Sequence, residues 1–175
     1  MGVAFISDGA LTLLDVFLQQ NTKRLRRGRI LLSLYNSFNS KAVLERLKVL
    51  NADSGKLQVR VSANPHFHWK YDHFYSSAHQ AAFVGSANFT NAGLREKGEL
   101  TTRFRLSRAD KQLSEDFKRR FDTEWDDARS ISDLPLDHYK QEKAPASGGL
   151  HPEIKSIGVR QSTQLMTLLF PSVVK

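Results

Sequence analysis

Apolar positions follow two periods along most of the chain, one of two residues and one of three to four. Residues 3–6 form a short apolar run suited to a buried strand. Ala10, Leu14, Phe17 and Leu18 then recur at helical spacing over residues 10–20. A basic connector leads to a second strand, expected over residues 30–35. Ser37 or Ser40 supplies an N-cap for a helix with Val43, Leu44, Leu47 and Leu50 on one face, ending within residues 51–55. Leu57, Val59 and Val61 alternate with polar residues, as in a strand with one buried face. Asn64-Pro65 interrupts the pattern. Strands are expected next over residues 67–74 and 82–87, followed by a turn or short helix over residues 91–98. Leu100, Thr102, Phe104 and Leu106 alternate as a further strand, and Leu113, Phe117, Phe121 and Trp125 mark one face of a long amphipathic helix. This order of strands and helices predicts the α/β class, with helices covering a sheet.

Composition changes that picture only at its edges. The 175 residues suffice for one ordinary domain and a tail, and the sequence becomes rich in Pro, Ser, Gly and charge from Arg129 onward. The absence of cysteine excludes disulfides and thiolate metal sites. The first residues lack a basic stretch and carry Asp8 and Asp15, unlike a secretory signal. No apolar run approaches the ~20 residues of a membrane span, so a cytoplasmic protein with no membrane partner is expected. The net charge of +8 suits a polyanion. Lys23, Arg24, Arg26, Arg27 and Arg29 cluster in the first connector and are the expected nucleic-acid contacts.

The candidate chemistry lies in residues 64–90. A strand there would place His66, His68 and Lys70 on one face, with Phe67, Trp69 and Tyr71 on the other. Gly85, Ser86 and Asn88 follow in a small-residue turn, which can bring a hydroxyl, an amide and backbone N–H groups against an oxyanion. A nucleophile and a cation would then share a phosphate pocket. No set of carboxylates or cysteines has metal-ligand spacing, so no metal or cofactor is expected.

His68-x-Lys70, then Gly85-Ser86-x-Asn88, then Glu99 eleven residues on, resembles the signature of the phospholipase D superfamily. The Asp usual after the Lys is replaced by Tyr75, and the gap to Gly85 is longer than the commonest family spacing. The stretch VGSANFTNAGL and the lost Asp resemble the metal-independent restriction endonucleases and related nucleases. The resemblance implies a mixed β-sheet flanked by helices on both faces, with a phospholipase D-like nuclease domain over residues 1–129. Residues 130–175 would be a tail, either a remnant of or linker to a target-recognition domain, or a segment that packs back on the nuclease domain.

The activity implied is cleavage of nucleic acid, expected to be DNA, through a covalent phosphohistidine without metal. His68 would attack phosphorus, Lys70 and Asn88 would hold the phosphoryl oxygens with help from Ser86, and Glu99 would accept a hydrogen bond from a His68 ring nitrogen. A second histidine must protonate the leaving oxygen. The other His-x-Lys, at His138 and Lys140, sits in a charged loop with no Gly-Ser-x-Asn after it and is taken as chance. The second histidine is therefore expected from a twofold-related copy, making a homodimer with a composite site. Its contact surface would include Phe74 and part of the long helix. A lipid phosphodiesterase of the same chemistry and an inactive nucleic-acid-binding relative are the alternatives.

Overall fold

The structure, a computed structural model, describes residues 1–140 except 22, 77–78 and 96–98. In chain order its elements are β1 (Gly2–Val3), α1 (Asp8–Gln20), β2 (Gly28–Leu32), α2 (Lys41–Asp53), β3 (Leu57–Val61), β4 (Lys70–Tyr75), β5 (Gln80–Gly85), α3 (Asn91–Arg95), β6 (Thr101–Leu106), α4 (Lys111–Asp126) and β7 (Arg129–Ser130). The described strands form one mixed sheet in the order β6-β5-β4-β1-β2-β3-β7. β1, β2 and β3 are parallel, as strands joined through helices must be, whereas β4, β5 and β6 form an antiparallel meander.

Alternation along β2 divides the core between the two faces of the sheet. Ile30 and Leu32 point to a cluster with Leu11 of α1 and Val43, Leu44 and Leu47 of α2. Leu31 points the other way, to Phe121 and Trp125 of α4 with Phe67 and Tyr71. Helices therefore cover both faces, as expected. Ser7 and Ser40 cap α1 and α2 by accepting from the N–H groups of Ala10 and Val43; losing such a cap costs about 1 kcal/mol.

Several boundaries differ from the sequence reading. The second strand stops at Leu32, and Tyr35–Ser37 is a turn of 3-10 helix. The fourth begins only at Lys70, because Asn64 closes a turn: its side-chain oxygen accepts from the His66 N–H at 2.9 Å and its carbonyl from the Phe67 N–H at 3.1 Å. The start of the expected tail packs back on the domain, one of the two arrangements the sequence left open. β7 pairs with β3, and Ile131 and Leu136 are buried in the α1–α2 cluster. Lys48 Nζ donates to the Leu134 carbonyl at 2.6 Å and the Tyr139 hydroxyl to that of Asn39 at 2.8 Å. The remainder of the expected tail, residues 141–175, lies outside the described residues.

Candidate active site

The motif residues gather where β1 and β5 end and where β4 and β6 begin. This end of the sheet is organised by a buried amide, Asn39, which is 1% exposed. Its oxygen accepts from the Ile6 N–H at 2.9 Å, and its Nδ2 donates to the carbonyls of Ala4 and Ser33 at 2.9 and 2.8 Å. The segment after β1 is thereby fixed to the segment after β2. Phe5, held between these bonds, donates its N–H to Asn88 Oδ1 at 3.3 Å. A backbone donor there fixes the orientation of the Asn88 amide, whose Nδ2 hydrogens are left to face an anion.

His68 lies just before β4, yet its face is as alternation required. Phe67, Trp69 and Tyr71 point into the α4 cluster, which leaves His68 and Lys70 on the opposite side. The His68 ring packs at 6.0 Å from Phe5 and 5.7 Å from Tyr35, centroid to centroid. Lys70 Nζ lies 2.6 Å from Nδ1 and 2.9 Å from Nε2 of His68, and donates to its carbonyl at 3.1 Å. Seated beside both ring nitrogens, the ammonium opposes protonation of the imidazole. Desolvation against Phe5 and Tyr35, and secondly the Lys70 charge, hold the His68 pKa below its ordinary value. Desolvation also lowers Lys70, and the Glu99 carboxylate partly offsets this.

The Gly-Ser-x-Asn turn is built by close backbone approach. A Cβ on Gly85 would stand 2.1 Å from the Leu100 carbonyl oxygen, and one on Gly93 2.1 Å from that of Asn88. Only glycine allows β5 to meet the start of β6 and α3 to fold beneath Asn88. Ser86 accepts from the Leu100 N–H at 3.0 Å and donates its hydroxyl hydrogen to Glu99 Oε2. Two expected roles therefore change within one chain. Ser86 holds Glu99 instead of facing a phosphate, and the Glu99 oxygen is taken by Ser86 instead of a His68 nitrogen. Glu99 stays near Lys70 as a countercharge.

The other residues singled out in the sequence lie elsewhere. His66 is exposed beside Tyr35, at 6.4 Å between centroids. Tyr75, where the Asp was expected, is at the far end of β4, about 17 Å along the strand from Lys70. Its identity leaves no gap beside Lys70. Asp72 shares the Lys70 face one step further along β4, where burial pushes its carboxyl up to about 6. His138 and Lys140 follow Leu136 in a turn and form no second motif site.

The basic connector sits before β2, at the opposite end of the strands from His68. Arg29 has a structural role: its Nη2 is 2.7 Å from Asp122 Oδ1, and its guanidinium lies over the rings of Phe121 and Trp125 at 4.9 and 5.2 Å. Arg27 Nη2 donates to Gln58 Oε1 at 2.7 Å, while Lys23, Arg24 and Arg26 are exposed. Asn39, Phe5 and Tyr35 were missed in the sequence. A lone Asn and two aromatic residues carry no spacing signal, and their roles arise only when β1 and β2 pair.

Among the described residues no three metal-ligating side chains converge, and no helix is long and apolar enough to cross a membrane. No protein-family model matches the chain, and no curated protein does either.

Proposed function

We propose that this chain is a phospholipase D-type phosphodiesterase acting on nucleic acid, of the restriction-endonuclease kind, and that it works as a homodimer with one composite site. The contact of Lys70 with the ring nitrogens of a neutral His68 carries this reading. A histidine held unprotonated beside a fixed cation is the pair that attack on an anionic phosphodiester requires. Asn88, its amide oxygen held by the Phe5 N–H, and Glu99, balancing Lys70, complete the half-site.

The reaction proceeds in two displacements. An incoming phosphate draws Lys70 off the imidazole, because an anion is a better partner for an ammonium than a neutral nitrogen. The freed His68 nitrogen forms a bond to phosphorus as the P–O bond to the leaving strand breaks. A proton from His68 of the second copy goes to the departing oxygen. That second histidine, now neutral, takes a proton from the water that attacks phosphorus, and the P–N bond breaks to restore the first. Lys70 and Asn88 hold the non-bridging oxygens in both steps.

A second copy has an apolar surface to meet on the α4 side of the sheet edge that follows Glu99. Leu100, next to Glu99, is 78% exposed, with Val84 at 38%, Phe104 at 36% and Leu113 at 41%. Leu100, Val84 and Phe104 share the α4 side of the sheet by alternation, and Leu113 opens α4. Phe74, expected at the contact, instead lies on the other face, its ring 5.9 Å from that of Phe83. The test is cleavage of plasmid and of a labelled oligonucleotide in excess EDTA by the full chain and by His68→Ala. Cleavage by the parent alone, with DNA still bound by the variant, supports the reading. Cleavage that EDTA abolishes and magnesium restores overturns it.

A further inference from the structure

β6 is the edge strand of the sheet, and its two faces differ in chemistry. Leu100, Thr102 and Phe104 point to the α4 side, where the Phe104 ring meets that of Phe117 at 5.7 Å. Thr101, Arg103 and Arg105 point to the other side. Register aligns that side with the active site. Asp72, Phe83 and Arg103 are cross-strand neighbours in one row and Phe74, Ala81 and Arg105 in the next, and Lys70 precedes Asp72 on the same face of β4. Directly paired residues of antiparallel strands share a face, so the two arginines lie on the Lys70 side.

Arg103 and Arg105 are both exposed, and neither has an ion-pair or hydrogen-bond partner among the described residues. They differ in this from Arg29, Arg46, Arg60 and Arg119, whose guanidinium groups are all hydrogen-bonded. Two arginines whose Cα atoms stand about 6.6 Å apart along one strand form a linear basic surface. It begins one row from Lys70, with Phe83 and Phe74 on the strands beside it. The connector rich in lysine and arginine has no such continuity with the site, because it lies at the opposite end of β2.

We propose that this face of β6 is the surface along which a nucleic-acid strand leaves the His68–Lys70 site, with Arg103 and Arg105 on its backbone phosphates. The inference rests on the nucleic-acid reading given above and adds where the strand lies. Contacts of this kind carry no base sequence; they set register and affinity, and each phosphate neutralised releases counterions. A twofold operation would provide one such surface on each side of the scissile phosphate.

The experiment is a salt titration of binding, by fluorescence anisotropy, of a fluorescein-labelled single-stranded oligonucleotide and its duplex. Full-length His68→Ala protein is used in EDTA, so that binding is read without cleavage. Arg103→Ala/Arg105→Ala should reduce the slope of log affinity against log salt by about two for each surface engaged, and weaken binding about tenfold at ~0.1 M salt. Arg103→Lys/Arg105→Lys should retain most of the slope, which separates lost charge from lost folding. Lys23→Ala/Arg26→Ala, which removes equal charge from the connector, should leave the slope nearly unchanged. An unchanged slope in the alanine variant overturns the inference. So does an equal loss from the connector variant, or a shift to smaller species in sedimentation with the slope intact, which would make this face a contact between copies. If the parent fails to cleave in EDTA but the slopes behave as stated, the catalytic reading fails and the binding surface stands.

Discussion

Lys70 has two effects on His68, and they predict where the histidine titrates. Its charge opposes protonation of the ring, adding to the desolvation imposed by Phe5 and Tyr35. The His68 ring should therefore titrate below the ordinary value of 6.5 when its Cε1–H resonance is followed by NMR. In Lys70→Met the midpoint should rise towards 6.5 but stay below it, because desolvation remains. A midpoint unmoved by that substitution would mean that the ammonium is not seated on the ring in solution. The same shift fixes the sign of the pH dependence. In the proposed mechanism one His68 is neutral to attack and its twin protonated to donate, so kcat/KM should fall on the acid side as the nucleophile gains a proton. It falls on the alkaline side as the acid loses one. Because both begin from a lowered pKa, the optimum should lie below pH 6.5 and belong to the pair jointly.

Elements meet at the site through Asn39, which serves three backbone groups from two segments. Asn39→Ala would leave the Ile6 N–H and the Ala4 and Ser33 carbonyls buried without partners, at about 1–3 kcal/mol for each. We expect a loss of about 3 kcal/mol or more in urea unfolding, with cleavage reduced because Phe5 no longer fixes Asn88; a loss under about 1 kcal/mol would contradict this. How much was legible in the sequence follows the same division. Helices α1, α2 and α4 and strands β3 and β6 were readable because apolar periodicity is a local signal. The face of Phe67, Trp69 and Tyr71 was readable for the same reason, although the ladder begins only at Lys70. The end of β2 at Leu32 was not, since Ser33, Tyr35 and Asn39 turn the chain through tertiary bonds. The packing of Ile131 and Leu136 was one of two alternatives left open, because their setting of Pro, Ser and charge also resembles a linker. Motif spacing brought His68, Lys70, Ser86, Asn88 and Glu99 to one place on the page. It could not show that Ser86 and Glu99 bind each other, or that the five-residue basic cluster lies at the opposite end of the sheet from His68.

For the molecule as a whole, one chain supplies one histidine within a complete motif, and the proposed chemistry needs two. The exposed patch of Val84, Leu100, Phe104 and Leu113 lies on the α4 side of the sheet edge, next to Glu99 in the chain, so an aspartate there should separate copies without disturbing the core. Leu100→Asp is expected to sediment as a monomer and to lose cleavage, with the unfolding midpoint nearly unchanged. Excess His68→Ala subunits, mixed with parent under conditions of exchange, should suppress activity beyond dilution, whereas a fully active monomer would refute the shared site. The claim beneath all of this is that His68 becomes covalently bound to phosphorus. The direct measurement is the mass of the protein after brief reaction with an oligonucleotide in EDTA, quenched at alkaline pH to preserve a P–N bond. The account predicts a species heavier by one cleaved strand, mapped by fragmentation to His68, formed and lost on the time scale of turnover and absent from His68→Ala. Cleavage at full rate with no adduct, or with the adduct on His66, would contradict it.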